Sequence, residues 1–306
     1  MPFDRYLAPE FVEALNDLYT NRSSWWHQLA NDGTVFLAVR RNAINAYVNG
    51  GSVGRVRWDG RAIALWVNRA YLVFADGAQR DRYANLLNLR NDLRPIVVAN
   101  SDAFKDHLRK IKRIVGTYFG KERQGENAIA ATLPEVLDIE AAFDTDAEGA
   151  ESEFENDNLR QGRVDLVAVA KDGPIVFTEA KLFNNRELRA SRRRVPAVCD
   201  QLILYHHWLV GHTERIQTAY TNLLYTCYPG LNGAFFRRRF TQGRRELSLD
   251  LVPRLLVFSF DGNQLRSARE IAQSVCDGVV RSIPGFTRRH IRLVGSVRNV
   301  NVRHLI

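Results

Sequence analysis

Three ionisable residues in this sequence sit where charge is costly: Asp165 inside the apolar run VDLVAVA, and Glu179 and Lys181 inside PIVFTEAK. Ionised groups within apolar strands lose their hydration unless they pair with one another or bind a metal. Glu179 and Lys181 are two residues apart, so on a strand they share a face. A tight connection through Asp172, Gly173 and Pro174 turns the two runs into a β-hairpin, and pairing Lys171 with Ile175 then sets Asp165 opposite Lys181. Two carboxylates and an ammonium converge on one face. Carboxylate and carbonyl oxygens suit a hard cation such as Mg²⁺ or Mn²⁺, so Asp165, Glu179 and the backbone carbonyl of Ala180 make a partial coordination shell. A cation there can lower the pKa of a water and offset charge on a phosphorane-like transition state. Lys181, beside it, can orient that water or face the phosphate.

The elements that must position these groups follow from hydrophobic period. Ser101 opens a helical stretch with Phe104, Leu108, Ile111, Ile114 and Val115 on one stripe, continuing brokenly to Leu133. Pro134 resets the chain, Val136 to Phe143 reads as a strand, and Asp144 to Asn158 is an acidic, turn-rich loop. The hairpin strands are Arg163 to Lys171 and Ile175 to Lys181. A basic segment, Asn184 to Arg194, leads past Pro196 into a helix from about Ala197 to His212, followed by a helix over Arg215 to Leu224. A strand at Arg254 to Phe260, a helix at Gln264 to Val280 and a strand at His290 to Val297 complete the order. That order predicts an α/β domain, a mixed central sheet flanked by helices.

The beginning of the chain has a different rhythm. After a short helix around Pro9 to Leu18 come short strands at Val35 to Arg40, Ala43 to Val48, Val53 to Trp58, Ala62 to Val67 and Ala70 to Phe74, with turn-forming pairs between them. The sequence therefore divides into an antiparallel β-rich domain over residues 1–100 and the α/β domain over 101–306. Trp25, Trp26, Trp58 and Trp66 suit either a packed core or a base-stacking surface.

The segments Gly162-Arg163-Val164-Asp165, Glu179-Ala180-Lys181 and Gln201-Leu202-Ile203-Leu204-Tyr205 resemble the motif series of the PD-(D/E)XK nuclease superfamily. The Gln-x-x-x-Tyr segment is similar to that of the RecB-like branch. The likeness runs from 162 to 205 at motif level and from 101 to 297 in element order. It implies a restriction-endonuclease-like core and a Mg²⁺- or Mn²⁺-dependent deoxyribonuclease. In it Asp165 and Glu179 bind the ion, Lys181 assists the attacking water, and Gln201 and Tyr205 line the site near the nucleic-acid backbone. Many members add a Glu from the helix before the first strand. In KERQGENAIAATL the candidates are Glu122 and Glu126, with Glu126 better placed ahead of the apolar Ile129 and Leu133. Two departures stand out: the Pro that often precedes the Asp is Val164, and the cysteine set of iron-sulfur relatives is missing. DNA repair and defence against foreign DNA are the roles such a family suggests.

Charge and composition frame this expectation. Lys and Arg number 43 against 34 Asp and Glu, a net charge of +9, with most of the excess beyond the middle of the chain. A nucleic-acid partner and a merely solvated basic face both fit that balance. Arg186, Arg189, Arg192, Arg193 and Arg194 follow directly from the catalytic strand and are the candidates to track phosphates; a mixed surface helix containing Glu187 is the alternative. Cys199, Cys227 and Cys276 are odd in number and far apart, which fits neither a disulfide framework nor a CxxC site and points to a reducing cytoplasm. The start lacks a basic segment followed by an apolar run, and nowhere do about 18 uncharged apolar residues follow one another, so neither secretion nor membrane spanning is expected. No P-loop, GxSxG elbow or HExxH is present, and His206-His207 has no carboxylates at ligand spacing. The rival to a nuclease is a nucleic-acid-binding or protein-interaction module on the same scaffold that no longer cuts.

Overall fold

A computed structural model of the 306-residue chain describes residues 3–68, 83–85, 101–142, 162–169, 173–191, 194–239 and 247–306. The chain forms two compact units, neither continuous in sequence. One comprises Asp4–Thr132 and Ala219–Arg245; the other comprises Leu133–Thr218 and Glu246–Ile306, together with the N-terminal residues up to Phe3. The helical stretch over 101–132, grouped by the sequence with the C-terminal part, belongs to the unit of the N-terminal sheet.

In that unit the alternating runs pair as an antiparallel meander. Strands β1 (Phe36–Arg40), β2 (Ala43–Val48), β3 (Gly51–Trp58) and β4 (Ile63–Asn68) follow one another in order, and β5 (Tyr83–Asn85) joins the β4 edge. Asn42 and Asn49 lie between the first strands with φ of 48° and 49°, left-handed values that Asn tolerates better than most residues. The run Ala70 to Phe74 lies outside the described residues. The helix Trp25–Asn31 is an addition to the expected elements, capped by Ser24 Oγ, which accepts the His27 N–H at 3.1 Å. Trp25 and Trp26 on it are buried, so their apolar rings belong to the core and are not a stacking surface. The stripe Phe104, Leu108, Ile111 and Val115 is buried on the helix Ser101–Tyr118, as its period requires.

The other unit is a mixed α/β fold. Its strands β6 (Val136–Ala142), β7 (Arg163–Val169), β8 (Ile175–Leu182), β9 (Arg254–Phe258) and β10 (Ile291–Val294) lie in the order β10-β9-β8-β7-β6. β6, β7 and β8 pair antiparallel, and β8, β9 and β10 pair parallel, the latter through helical crossovers. The helices Val198–Gly211 and Leu265–Val279 cover one face, with Val198, Cys199, Leu202, Ala272, Val275 and Val279 in one core with Leu255 and Val257 of β9. On the opposite face the Thr178 hydroxyl donates to the Leu305 carbonyl at 3.3 Å. β8 therefore runs through the middle of the sheet, buried over all but its last residue. Charged residues on this strand are shielded from solvent by the fold itself. The three cysteines are free and buried, and no described helix is long and apolar enough to cross a membrane.

Candidate functional site

The hairpin that carries the expected acids forms with a different register. Its ladder runs Val169↔Ile175, Ala168↔Val176, Val167↔Phe177 and Leu166↔Thr178, so Asp165 comes level with Glu179 and not, as a three-residue loop requires, with Lys181. The connection is longer than that loop, and the slip amounts to two residues of the partner strand. Because side chains alternate with a period of two, such a slip leaves every residue on its face. Asp165, Glu179 and Lys181 still converge.

Past Leu166↔Thr178 the ladder gives way. The Ala180 N–H donates at 2.7 Å to Asp165 Oδ2, a side chain taking the place of a backbone acceptor. In a strand the N–H and C=O of one residue point to the same side, so the Ala180 carbonyl also faces β7. Gly162, at the start of this run, has φ 83°, a conformation that glycine adopts without the strain a side chain would bring.

Glu179 is the centre of the cluster. Its Oε1 lies 2.6 Å from Lys181 Nζ, and its Oε2 lies 2.8 Å from the Tyr205 hydroxyl, which also lies 2.5 Å from the Arg163 carbonyl. The hydroxyl has one proton to donate and thus serves one of these acceptors at a time. Burial pushes the Glu179 carboxyl above its ordinary range, against the lowering pull of Lys181 and of the hydrogen bonds from Lys181 and Tyr205. Burial, with Glu179, Asp165 and Glu140 around it, pushes the Tyr205 hydroxyl well above the usual tyrosine range, so it stays a neutral donor. Lys181 reaches a second carboxylate, with Nζ 2.9 Å from Glu187 Oε2.

Two members of this group were not singled out by the sequence. Glu140 on β6 falls between the pairs Ile139↔Leu166 and Ala141↔Val164 and so stands beside Asp165; the two offer carboxylate oxygens within 4.8 Å of each other. The criterion that selected Asp165, a charge within an apolar strand, applied to VLDIEAA would have selected Glu140 as well. Asp138 satisfies the same criterion, yet its Oδ1 accepts the N–H of Ile139 and is used locally. Glu187, named in the sequence only within the alternative of a mixed surface helix, lies on a single 3-10 turn, Arg186–Leu188.

The other expected site residues take varied places. Gln201, one helical turn before Tyr205, is half-buried, and its Oε1 is shielded from solvent without a hydrogen-bond partner among the described residues. Glu126 is buried on the helix Lys121–Thr132 of the other unit, and Glu122 is half-buried on the same helix. Arg186, Arg189 and Arg194 are exposed, and Arg192 and Arg193 lie outside the described residues. Arg189 is tied back, donating from Nη2 to the Phe183 carbonyl at 2.9 Å with its guanidinium 4.7 Å from the centre of that ring. Among the described arginines of the segment all three are exposed, and Arg189 alone makes a contact that braces the turn. In comparison with known proteins, no family model, curated protein or solved structure matches the chain.

Proposed function

We propose that this protein is a Mg²⁺- or Mn²⁺-dependent nuclease that hydrolyses phosphodiester bonds of nucleic acid, with DNA the substrate its sequence motifs favour. The observation that carries the proposal is the cluster in which the half-buried Asp165 of β7 holds the Ala180 N–H and the buried Glu179 of β8 contacts both Lys181 and, on the following helix, Tyr205. Asp165, Glu140, Glu179 and the Ala180 carbonyl are the groups that would hold the cation. The donor set fits a hard divalent ion: it is all oxygen, and two like charges within 4.8 Å repel unless a cation lies between them.

When bound, such an ion supplies Lewis acidity and positive charge beside the phosphoryl oxygens. The chain's own residues supply the remainder. Tyr205 fixes the rotamer of Glu179, Asp165 is locked by the Ala180 amide, and Lys181 brings a positive charge to the position where negative charge would build. Labelled single-stranded, double-stranded and branched DNA, and RNA, incubated with Mg²⁺ or Mn²⁺ and resolved on a gel, test the proposal. Asp165→Asn and Lys181→Ala should each abolish cleavage while leaving the fold and the salt-sensitive binding of nucleic acid in place. Unchanged cleavage by either variant removes the assignment.

A second reading, a binder that no longer cuts, is favoured by one feature: both oxygens of Glu179 are already engaged, by Lys181 and by Tyr205. It predicts affinity for nucleic acid without product under either metal, which the same gel separates from the first.

A further inference from the structure

Lys181 is 4% exposed, and its ammonium contacts the carboxylates of Glu179 and Glu187, which differ in character. Glu179 takes it in a short contact of 2.6 Å. Glu187 Oε2 stands 2.9 Å away but is not aligned as a hydrogen bond, so this second contact is an ion pair held by charge alone. The looser contact is nonetheless built with care. After β8 the Asn185 amide donates to the Leu182 carbonyl at 2.9 Å, and Asn185 Oδ1 accepts the N–H of Glu187 at 2.8 Å. Leu188 is buried in the core, and Arg189 clamps the turn to Phe183. Each contact fixes Glu187 over the strand it has just left.

We infer that Glu187 is a positioning residue for Lys181, which it holds in place when the Glu179 carboxylate turns to a divalent cation. The inference rests on the nuclease reading above and adds to it a residue outside the motif series. A buried ammonium next to a divalent cation is costly unless a carboxylate stays with it. Glu187 meets that need through its exposed side, where its own charge remains partly hydrated, with the side chain 32% exposed. It touches neither cation nor substrate; it acts through Lys181.

The test is Mn²⁺ binding by calorimetry on the full chain without nucleic acid, for the native protein, Glu187→Gln, Glu187→Asp, Lys181→Gln and the double variant Lys181→Gln/Glu187→Gln. Loss of an outer-shell partner typically weakens metal binding 10–100-fold, and Glu187→Gln and Glu187→Asp should each weaken it by about tenfold, the Asp because its carboxylate stops one methylene short. In the Lys181→Gln background the effect of Glu187→Gln should shrink to within about twofold, since coupled residues do not act additively. An equal loss in both backgrounds would mean that Glu187 acts directly on the ion and would overturn the inference while leaving the nuclease reading standing. Native affinity in Glu187→Asp would reduce Glu187 to a net charge and overturn it too. That variant decides the matter if Lys181→Gln fails to fold. A native protein that binds no Mn²⁺ overturns the nuclease reading, and this inference with it.

Discussion

Glu140 has a conformation that few residues hold without reason. Its φ of 50° places a side-chain-bearing residue of β6 in the left-handed region, at a cost of roughly 1–2 kcal/mol. Its carboxylate also stands within 4.8 Å of that of Asp165, a repulsion added to the strain and offset in part by the Arg163 guanidinium 3.9 Å from Glu140 Oε2. Both costs are explained if the pair exists to hold a cation, and both can be removed separately. Glu140→Ala abolishes the repulsion and keeps the strain; Glu140→Gly abolishes both. In urea unfolding of the metal-free protein the Gly variant should exceed the Ala variant by about 1 kcal/mol. Both should weaken Mn²⁺ binding by about tenfold or more. Equal stability of the two variants would remove the strain argument, and native Mn²⁺ affinity in either would remove Glu140 from the coordinating set. Asp165, Glu179 and Lys181 were legible in the sequence because charge inside apolar strands is rare enough to need a cause. Tyr205 was legible by its spacing from Gln201. Glu187 was not, because a glutamate among arginines after a strand has the composition of a solvated surface, and only the turn capped by Asn185 brings it back.

The elements were readable where period is strong. β6 to β10 and the helices Val198–Gly211 and Leu265–Val279 appear where alternation and helical stripes put them. The hairpin register was not readable, since it depends on how many residues the turn consumes. The helix Trp25–Asn31 was not read from the sequence, because seven residues are too few to show a helical period. A close approach of two helices was equally invisible. A Cβ built on Gly278 would stand 2.7 Å from Cys199 Sγ, inside van der Waals contact. Cys199 is fully buried, so its sulfur has little room to yield, and burial, helped by the nearby Asp200, pushes its thiol up to about 11. Alanine normally gains about 1 kcal/mol over glycine within a helix, whereas overpacking a tight core costs about 1–3 kcal/mol. Gly278→Ala should therefore lower the melting temperature, and Cys199→Ala in the same chain should recover most of the loss. A stabilising Gly278→Ala, or a loss that Cys199→Ala leaves untouched, would show that the two helices are not in contact through this pair.

For the molecule as a whole, the sequence showed two folding rhythms but not which helices go with which sheet. The chain leaves its N-terminal unit at Thr132 and returns to it for Ala219–Arg245, a route that no local period encodes. Charge is the whole-chain property that does follow from the sequence, and with a net +9 it leads to a quantitative expectation about the proposed substrate. Binding a polyanion releases its condensed counterions, so log K falls linearly with log salt, by about 0.9 per duplex phosphate neutralised. Arg186, Arg189 and Arg194 are all exposed on the segment that follows β8, but Arg189 donates to the Phe183 carbonyl. Removing an arginine that meets a phosphate should flatten the slope, and removing one that braces a turn should not. With Asp165→Asn as the background to prevent cleavage, duplex affinity between low and physiological salt should show a steep negative slope. Arg186→Ala and Arg194→Ala should each reduce it by about 0.9, nearly independent of base sequence. Arg189→Ala should leave the slope unchanged and lower the melting temperature. A slope near zero in the parent would mean that the positive excess merely solvates the surface, and nucleic acid would then lose its place as the partner of this site.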